Sequence, residues 1–287
     1  MKTTLLWLAA MFLAVQANAA SYGPYQDETY QACGAATSPV AVEIIHGGAW
    51  ASGYAGSSAT LSLCQYLGAN GIYAVAVNYR LSNTAPWPAQ LQDAQLAMRW
   101  LRMHSAARRV GVIGMSAGGH IALFMGETFG TKKFAATDPY GETQSMPGVS
   151  DGPDFIVDVS GPTDLTDPGL LPGNVRLLIR GIKMSPTAAR GFASPIAHLT
   201  ADLPPLLISH GLQDHTVSIT QSDEFVLAAQ QAGIPVKAVD SGSAAGAVAA
   251  QTGITYDRHV GGHVLDVSPA VQSNLFRMIA LFSKGLT

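Results

Sequence analysis

The sequence predicts an α/β protein built on a mostly parallel sheet with helices on both faces. Three observations predict it. Short apolar runs alternate with helix-length amphipathic runs along the chain. The apolar runs are rich in Val and Ile and lack the in–out alternation of a half-exposed strand, as strands buried on both faces do. Two stretches rich in Gly, Pro, Asp and Thr, Gly130 to Pro153 and Thr163 to Pro195, break the rhythm after strands, where α/β proteins carry binding loops.

The elements follow in order. "VAVEIIHG" from Val40 reads as the first core strand, and "SSATLSLCQYLGANG" from Ser57 as a helix with a Ser N-cap and Gly71 past its end. "IYAVAVNYR" from Ile72 is a strand, and "PAQLQDAQLAMRWLRMHS" a helix with Pro88 at its start. "RVGVIGM" from Arg109 is a strand that runs straight into a helical pattern over Ser116 to Glu127. "DFIVDVSG" from Asp154 and "LPPLLISHG" from Leu203 are strands, the latter followed by a helix across Ser218 to Ala232. "IPVKAV" is strand-like, and Ser268 to Ser283 closes the chain as an amphipathic helix. Between them, Ser241 to Gly253 is either an insertion or an irregular last strand.

With 287 residues, 48% of them hydrophobic, the chain suits one large domain. A net charge of −3, with no basic cluster beyond Arg108-Arg109, argues against nucleic acid as a partner. Residues 1–19 read as a secretory signal peptide: Lys2, an apolar core from Leu5 to Val15, and the small-x-small site Ala17-Asn18-Ala19. The alternative is an uncleaved anchor, but the apolar run is short for a membrane span. No Cys stands at the cut, which argues against a lipid anchor there, so the expected protein is exported, periplasmic or extracellular, without a stable membrane anchor. In such a compartment Cys33 and Cys64 either pair or remain two separate buried thiols.

The chemistry begins at Gly114-Met115-Ser116-Ala117-Gly118, a Gly-x-Ser-x-Gly run between strand and helix. A sharp turn there needs flanking glycines, lifts the serine above the sheet edge, and sets it at a helix N-terminus that favours negative charge. Ser116 is the candidate nucleophile. It needs a base, and the base an orienting carboxylate, in the chain order Ser, acid, His. Asp214 follows a buried strand in "LLISHGLQDHTV" and is preferred over Asp158, inside a strand, and Asp164, placed for an Asx turn. For the base, "YDRHVGGHVLD" offers His263, on a glycine loop, ahead of His259 in a strand-like run. His215 is adjacent to Asp214 and points elsewhere, and His120 packs or caps within the helix after Ser116. "IIHGGAWASG" ends the first core strand with two glycines that free backbone amides, so Gly48, Ala49 and Ala117 are the candidate oxyanion donors.

These motifs together resemble one family. His-Gly-Gly-x-Trp, Asn78-Tyr79-Arg80-Leu81, "QLQDAQLAMRWLR", "GMSAGGHIA", "HGLQDHTV" and "GGH" occur in this order over about Val40 to Phe282. The set is similar to the α/β-hydrolases of the hormone-sensitive-lipase and acetyl-esterase type. The resemblance implies an α/β-hydrolase domain over residues 20–287 and serine carboxylesterase chemistry on small, short-acyl esters, with Ser116, Asp214 and His263 as the triad. Ala49 replaces the family's third glycine, and the arm before the first core strand is short, so only a minimal cap is expected. Trp50, Tyr79 and Trp87, with Tyr54, are candidates to line the substrate pocket, the other reading being packing. No metal set and no dinucleotide fingerprint is present, so no cofactor is expected. Two other readings use the same residues: an arylformamidase-, amidase- or peptidase-like hydrolase, and a non-catalytic binding module on a hydrolase scaffold.

Overall fold

The structure, a computed structural model, describes residues 20–21, 29–131, 134, 146, 148–241 and 252–285. The leader read at residues 1–19 lies outside the described residues, as does most of the 130–153 stretch and of the 241–253 segment.

The described strands form one nine-stranded sheet. They are β1 (Ala20–Ser21), β2 (Thr29–Cys33), β3 (Val40–Ile45), β4 (Tyr73–Val77), β5 (Arg109–Met115), β6 (Ile156–Val159), β7 (Leu206–Gly211), β8 (Val236–Val239) and β9 (Ile254–His259). Their order is β1-β2-β4-β3-β5-β6-β7-β9-β8. The β1–β2 and β2–β4 pairs are antiparallel, and every pair from β4 to β8 is parallel. The helices are α1 (Ser58–Ala69), α2 (Ala89–His104), α3 (Ala117–Thr128), α4 (Pro172–Ile179), α5 (Pro186–Phe192), α6 (Thr220–Gln231) and α7 (Pro269–Ser283).

Alternate side chains of β3 serve two cores. Ala41 and Ile45 pack with Leu91 of α2 and Phe124 of α3. Val42 and Ile44 pack with Leu67 of α1 and Leu275 of α7. A central parallel strand is thus apolar at nearly every position, as the run "VAVEII" is. The chain leaves β3 through α1 to reach β4 on one side, then crosses back through α2 to β5 on the other. Consecutive connections therefore diverge at the carboxyl ends of β3 and β5, which opens a crevice there. His46 and Ser116 are the first residues past those two ends.

Three elements, β2, α4 and α5, go beyond the periodicity of the sequence. The arm before the core carries β2, which pairs with β4, and Cys33 at its end is bonded to Cys64 of α1 with a Cα–Cα distance of 5.6 Å. The Thr163 to Pro195 stretch is not simply a loop but holds α4 and α5. Both helices begin at a proline in the first turn, and Ser185 caps α5 by accepting the Ala188 amide at 3.3 Å. The Gly and Pro content that reads as a loop is punctuation around two short helices. At the other end, residues 254–259 form a regular last strand, and β9 lies between β7 and β8. That position delivers the loop after β9 beside the loop after β7.

Candidate active site

Ser116 sits on the turn from β5 to α3 with φ 54° and ψ −119°, a left-handed conformation uncommon for a residue with a Cβ. Its amide is held by the Val159 carbonyl at 2.8 Å. The flanking glycines are steric requirements. A Cβ on Gly114 would lie 2.1 Å from the Gly118 carbonyl oxygen, and one on Gly118 would lie 2.2 Å from that of Ile45. The turn can therefore nest against β3 only if both positions lack side chains.

Asp214 and His263 meet Ser116 from the adjacent loops. His263 Nδ1 is 2.7 Å from Asp214 Oδ2, and His263 Nε2 is 2.8 Å from Ser116 Oγ. A carboxylate only accepts, so Nδ1 carries the proton and Nε2 presents a lone pair to the serine hydroxyl. The two loops are knitted together by Leu212 N–H to His259 C=O (2.9 Å) and Gln213 N–H to Gly261 C=O (2.8 Å). They approach closely at Gly211, where a Cβ would lie 2.3 Å from the Gly262 carbonyl oxygen.

Asp214 is held on both oxygens. Oδ1 accepts the amides of Thr216 and Val217, each at 2.9 Å. Oδ2 faces His263 and also His210 Nε2, at 3.3 Å. Burial works to raise the carboxyl pKa, but hydrogen bonds from His210, His263 and the Val217 amide outweigh it and hold the group well below the usual carboxylate range. His210 had no role in the sequence reading. Its only signal there is its position four residues before Asp214, near the end of a buried strand.

The other acids and histidines lie elsewhere. His259 is buried, with Nδ1 3.2 Å from Asp257 Oδ2 and 3.4 Å from Ser209 Oγ. His215 is exposed. His120 is buried between Trp50 Nε1–H (3.3 Å) and the Ala193 carbonyl (2.8 Å). Asp164 accepts the Thr166 amide at 2.8 Å in an Asx turn. Asp158 is fully buried below the crevice. Burial pushes its carboxyl up to about 7, against the opposing pull of His210 and the Gly161 amide.

A cavity of about 460 Å³ opens over the serine, with Gly48, Ala49, Ser57, Ser116, Leu171 and His263 among its lining residues. Gly48, Ala49 and Trp50 follow one another at φ 117°, 52° and 59°. That succession turns Trp50 into the body of the protein, and none of the three aromatics expected as pocket walls stands there. Trp50, Tyr79 and Trp87 are 0%, 1% and 2% exposed, and none borders the cavity. Trp50 and Trp87 pack edge-on against His120, and Tyr79 stacks on His46 at 4.3 Å. They support the loop from beneath. Tyr54, by contrast, is 60% exposed on the outer turn. Ser52, Ser57, Thr60, Leu171 and Thr216 line the cavity without having been singled out for it. Ser57 was legible only as the cap of α1, a role it also fills.

The comparisons with known proteins agree with this architecture. The chain is 29% identical over 196 residues to "Probable carboxylic ester hydrolase LipM" of Mycobacterium tuberculosis (strain ATCC 25618 / H37Rv), a match covering 66% of this chain and 44% of the relative. It is 29% identical over 204 residues to "Esterase LipC" of the same strain, covering 66% and 48% respectively. The chain thus spans about half the length of the curated relatives it matches. A solved structure titled "Truncated form of carbohydrate esterase from gut microbiota" superposes with a TM-score of 0.71 at 23% identity, covering 93% of this chain and 94% of the other. The butyrate-bound esterase Est2 of Thermogutta terrifontis superposes with a TM-score of 0.68 at 20% identity, covering 93% and 94%. The fold is that of the α/β-hydrolases. The BD-FAE family model matches residues 29–228, which take in the loop after β3, the serine turn and Asp214, and the chain belongs to the BD-FAE family.

Proposed function

We propose that this protein is a serine carboxylic ester hydrolase acting on small, short-acyl esters such as acetyl esters. One observation carries the reading: the unbroken relay from Asp214 through His263 to Ser116, with spacings of 2.7 and 2.8 Å. Ser116 Oγ attacks the ester carbonyl while its proton passes to His263 Nε2. The tetrahedral oxyanion is held by the amides of Gly48, Ala49 and Ala117. His263 returns the proton to the departing alkoxide, which leaves as the alcohol. Water then attacks the acyl-enzyme with His263 again as base, and the carboxylic acid departs with Ser116 restored. Asp214, kept ionised by its hydrogen bonds, orients the imidazole and stabilises its cation.

The cavity of about 460 Å³ over Ser116 has room for a short acyl group. The relatives named as esterases support the reaction class. Export is part of the same reading. It rests on the leader-like residues 1–19 and fits a Cys33–Cys64 bridge, which persists in oxidising compartments.

The test is labelling by a fluorophosphonate probe with peptide mapping, alongside turnover of p-nitrophenyl acetate and of an N-formyl arylamine. The expected result is modification of Ser116 and faster turnover of the acetate. Absence of labelling on folded protein rejects the catalytic reading, and faster turnover of the formyl amide rejects ester preference. N-terminal sequencing of protein recovered from an expressing cell tests export. A start after residue 19 or 20 supports it, and an intact leader rejects it.

A further inference from the structure

A backbone amide serves as an oxyanion donor only if its peptide plane is fixed. In a trans peptide the N–H points opposite to the C=O of the preceding residue, so holding that carbonyl aims the amide. The Gly48–Ala49 peptide is held in this way. The Gly48 carbonyl accepts the amides of Ala51 (3.1 Å) and Ser52 (3.0 Å) and the hydroxyl of Ser52 (3.0 Å), so the Ala49 N–H is turned to the opposite side.

The peptide before it, Gly47–Gly48, joins two glycines, the residues with the most freedom to rotate. What holds it is a side chain. His46 Nδ1 lies 2.6 Å from the Gly47 carbonyl oxygen. A carbonyl oxygen cannot donate, so the proton sits on Nδ1. The imidazole is itself locked. Tyr79 stacks on it at 4.3 Å with the planes 14° apart, and the Tyr79 hydroxyl donates to the His46 carbonyl at 3.3 Å. Gly53, at φ 95°, passes over the bond so closely that a Cβ there would lie 2.3 Å from the Gly47 oxygen and 2.6 Å from His46 Nδ1. His46 Nε2 is buried with no hydrogen-bond partner among the described residues, so the ring's one polar engagement is with Gly47. Burial, partly offset by the Gly47 hydrogen bond, takes the His46 pKa down to about 4, which leaves one ring proton at neutral pH.

We propose that His46 is the positioning residue of the oxyanion cradle, its Nδ1–H holding the Gly47 carbonyl so that the Gly48 N–H is presented to the cleft. This rests on the esterase reading above and deepens it. The histidine that opens the His-Gly-Gly run is thereby given a task of its own, distinct from the amides that follow it. It touches neither the nucleophile nor the proton relay.

The test uses two substitutions that divide the ring from the donor. His46→Phe keeps a flat ring against Tyr79 and removes the donor, whereas His46→Asn loses the ring and offers Nδ2–H near the place of Nδ1–H. For His46→Phe the expected result is roughly a 10- to 100-fold fall in kcat on p-nitrophenyl acetate, the scale of weakening one oxyanion donor, with KM within about threefold. Binding of an aryl trifluoromethyl ketone, which adds to the serine as a tetrahedral oxyanion, should weaken by the same factor. His46→Asn should recover most of both losses. A folded His46→Phe variant with wild-type kcat overturns the proposal. So does a His46→Asn variant as impaired as His46→Phe, because packing and not hydrogen bonding is then responsible. A folded wild-type protein that neither hydrolyses the ester nor binds the ketone overturns the esterase reading, and this proposal with it.

Discussion

Gly118 and Ile45 leave no space between them: a Cβ on Gly118 would lie 2.2 Å from the Ile45 carbonyl oxygen. The first turn of α3 rests directly on the end of β3, and this contact sets the height of Ser116 above the sheet. Gly118→Ala should therefore force two backbones apart. The expected cost is about 3 kcal/mol, near the upper end for overpacking because backbone cannot move aside like a side chain. Chemical denaturation of the variant checks it. A midpoint equal to wild type would show that the turn can relax.

His263 and His259 offer a sharper contrast. His263 faces Ser116, whereas His259 is buried against Asp257 and Ser209. His263→Ala should lower kcat on p-nitrophenyl acetate by about four orders of magnitude, and Asp214→Asn should also be severely impaired. His259→Ala should keep activity within about tenfold of wild type while losing stability, since it leaves buried Asp257 and Ser209 short of a partner. Steady-state kinetics with thermal melts separate the two effects. A dead His259→Ala beside an active His263→Ala would reverse the assignment of the base.

Asp158 makes stability depend on pH in a direction opposite to Asp214. Burial raises the folded pKa of Asp158 to about 7, above its unfolded value of about 3.9. The native state therefore holds an extra proton between those values. The contribution to stability is full below the unfolded pKa and is lost as pH rises through about 7. Asp158→Asn keeps the acceptor for the Gly161 amide and cannot ionise. Its melting temperature relative to wild type should rise from pH 5 and level off above about pH 7. A difference that is flat with pH would mean that Asp158 ionises normally. For Asp214 the sign is reversed: its depressed pKa contributes stability above the unfolded carboxylate value, lost as pH falls below it.

The Cys33–Cys64 bridge closes a loop with a sequence separation of 31 and ties β2 to α1. Loop-closure entropy assigns such a cross-link about 3–4 kcal/mol. The double variant Cys33→Ala/Cys64→Ala should unfold at lower denaturant by that amount, with kcat on p-nitrophenyl acetate little changed because neither cysteine lines the cavity over Ser116. Equal stability with and without reductant for the wild type would show that the bridge does not form.

How much of this was legible depended on the reach of each signal. The strands, the helix after Ser116 and the cap at Ser57 follow from local periodicity and end residues. The two short helices within Thr163 to Pro195 are not legible as helices, because their prolines and glycines are helix-start punctuation and composition cannot tell the two apart. The direction of the aromatics is hidden from the sequence for a similar reason. Trp50, Tyr79 and Trp87 sit next to site loops in sequence, but the direction of a side chain is set by backbone angles, and the positive φ of Ala49 and Trp50 turns that chain inward.

By itself the sequence determined the α/β alternation, the glycine-flanked serine turn, and a chain order of serine, acid and histidine suited to one sheet edge. Those features are local, written in the period of the apolar residues and in the few positions where only glycine fits. What only the tertiary structure decided is which groups meet. It chose His263 over His259, brought His210 to the same oxygen of Asp214, and set His46 on the Gly47 carbonyl. The first follows from β7 and β9 lying side by side, the second from the turn after β7 that folds Asp214 back over His210, and the third from His46 being wedged between Tyr79 and Gly53. Pairing between strands separated by dozens of residues leaves no periodic trace in the chain, and only the packed sheet turns it into distances.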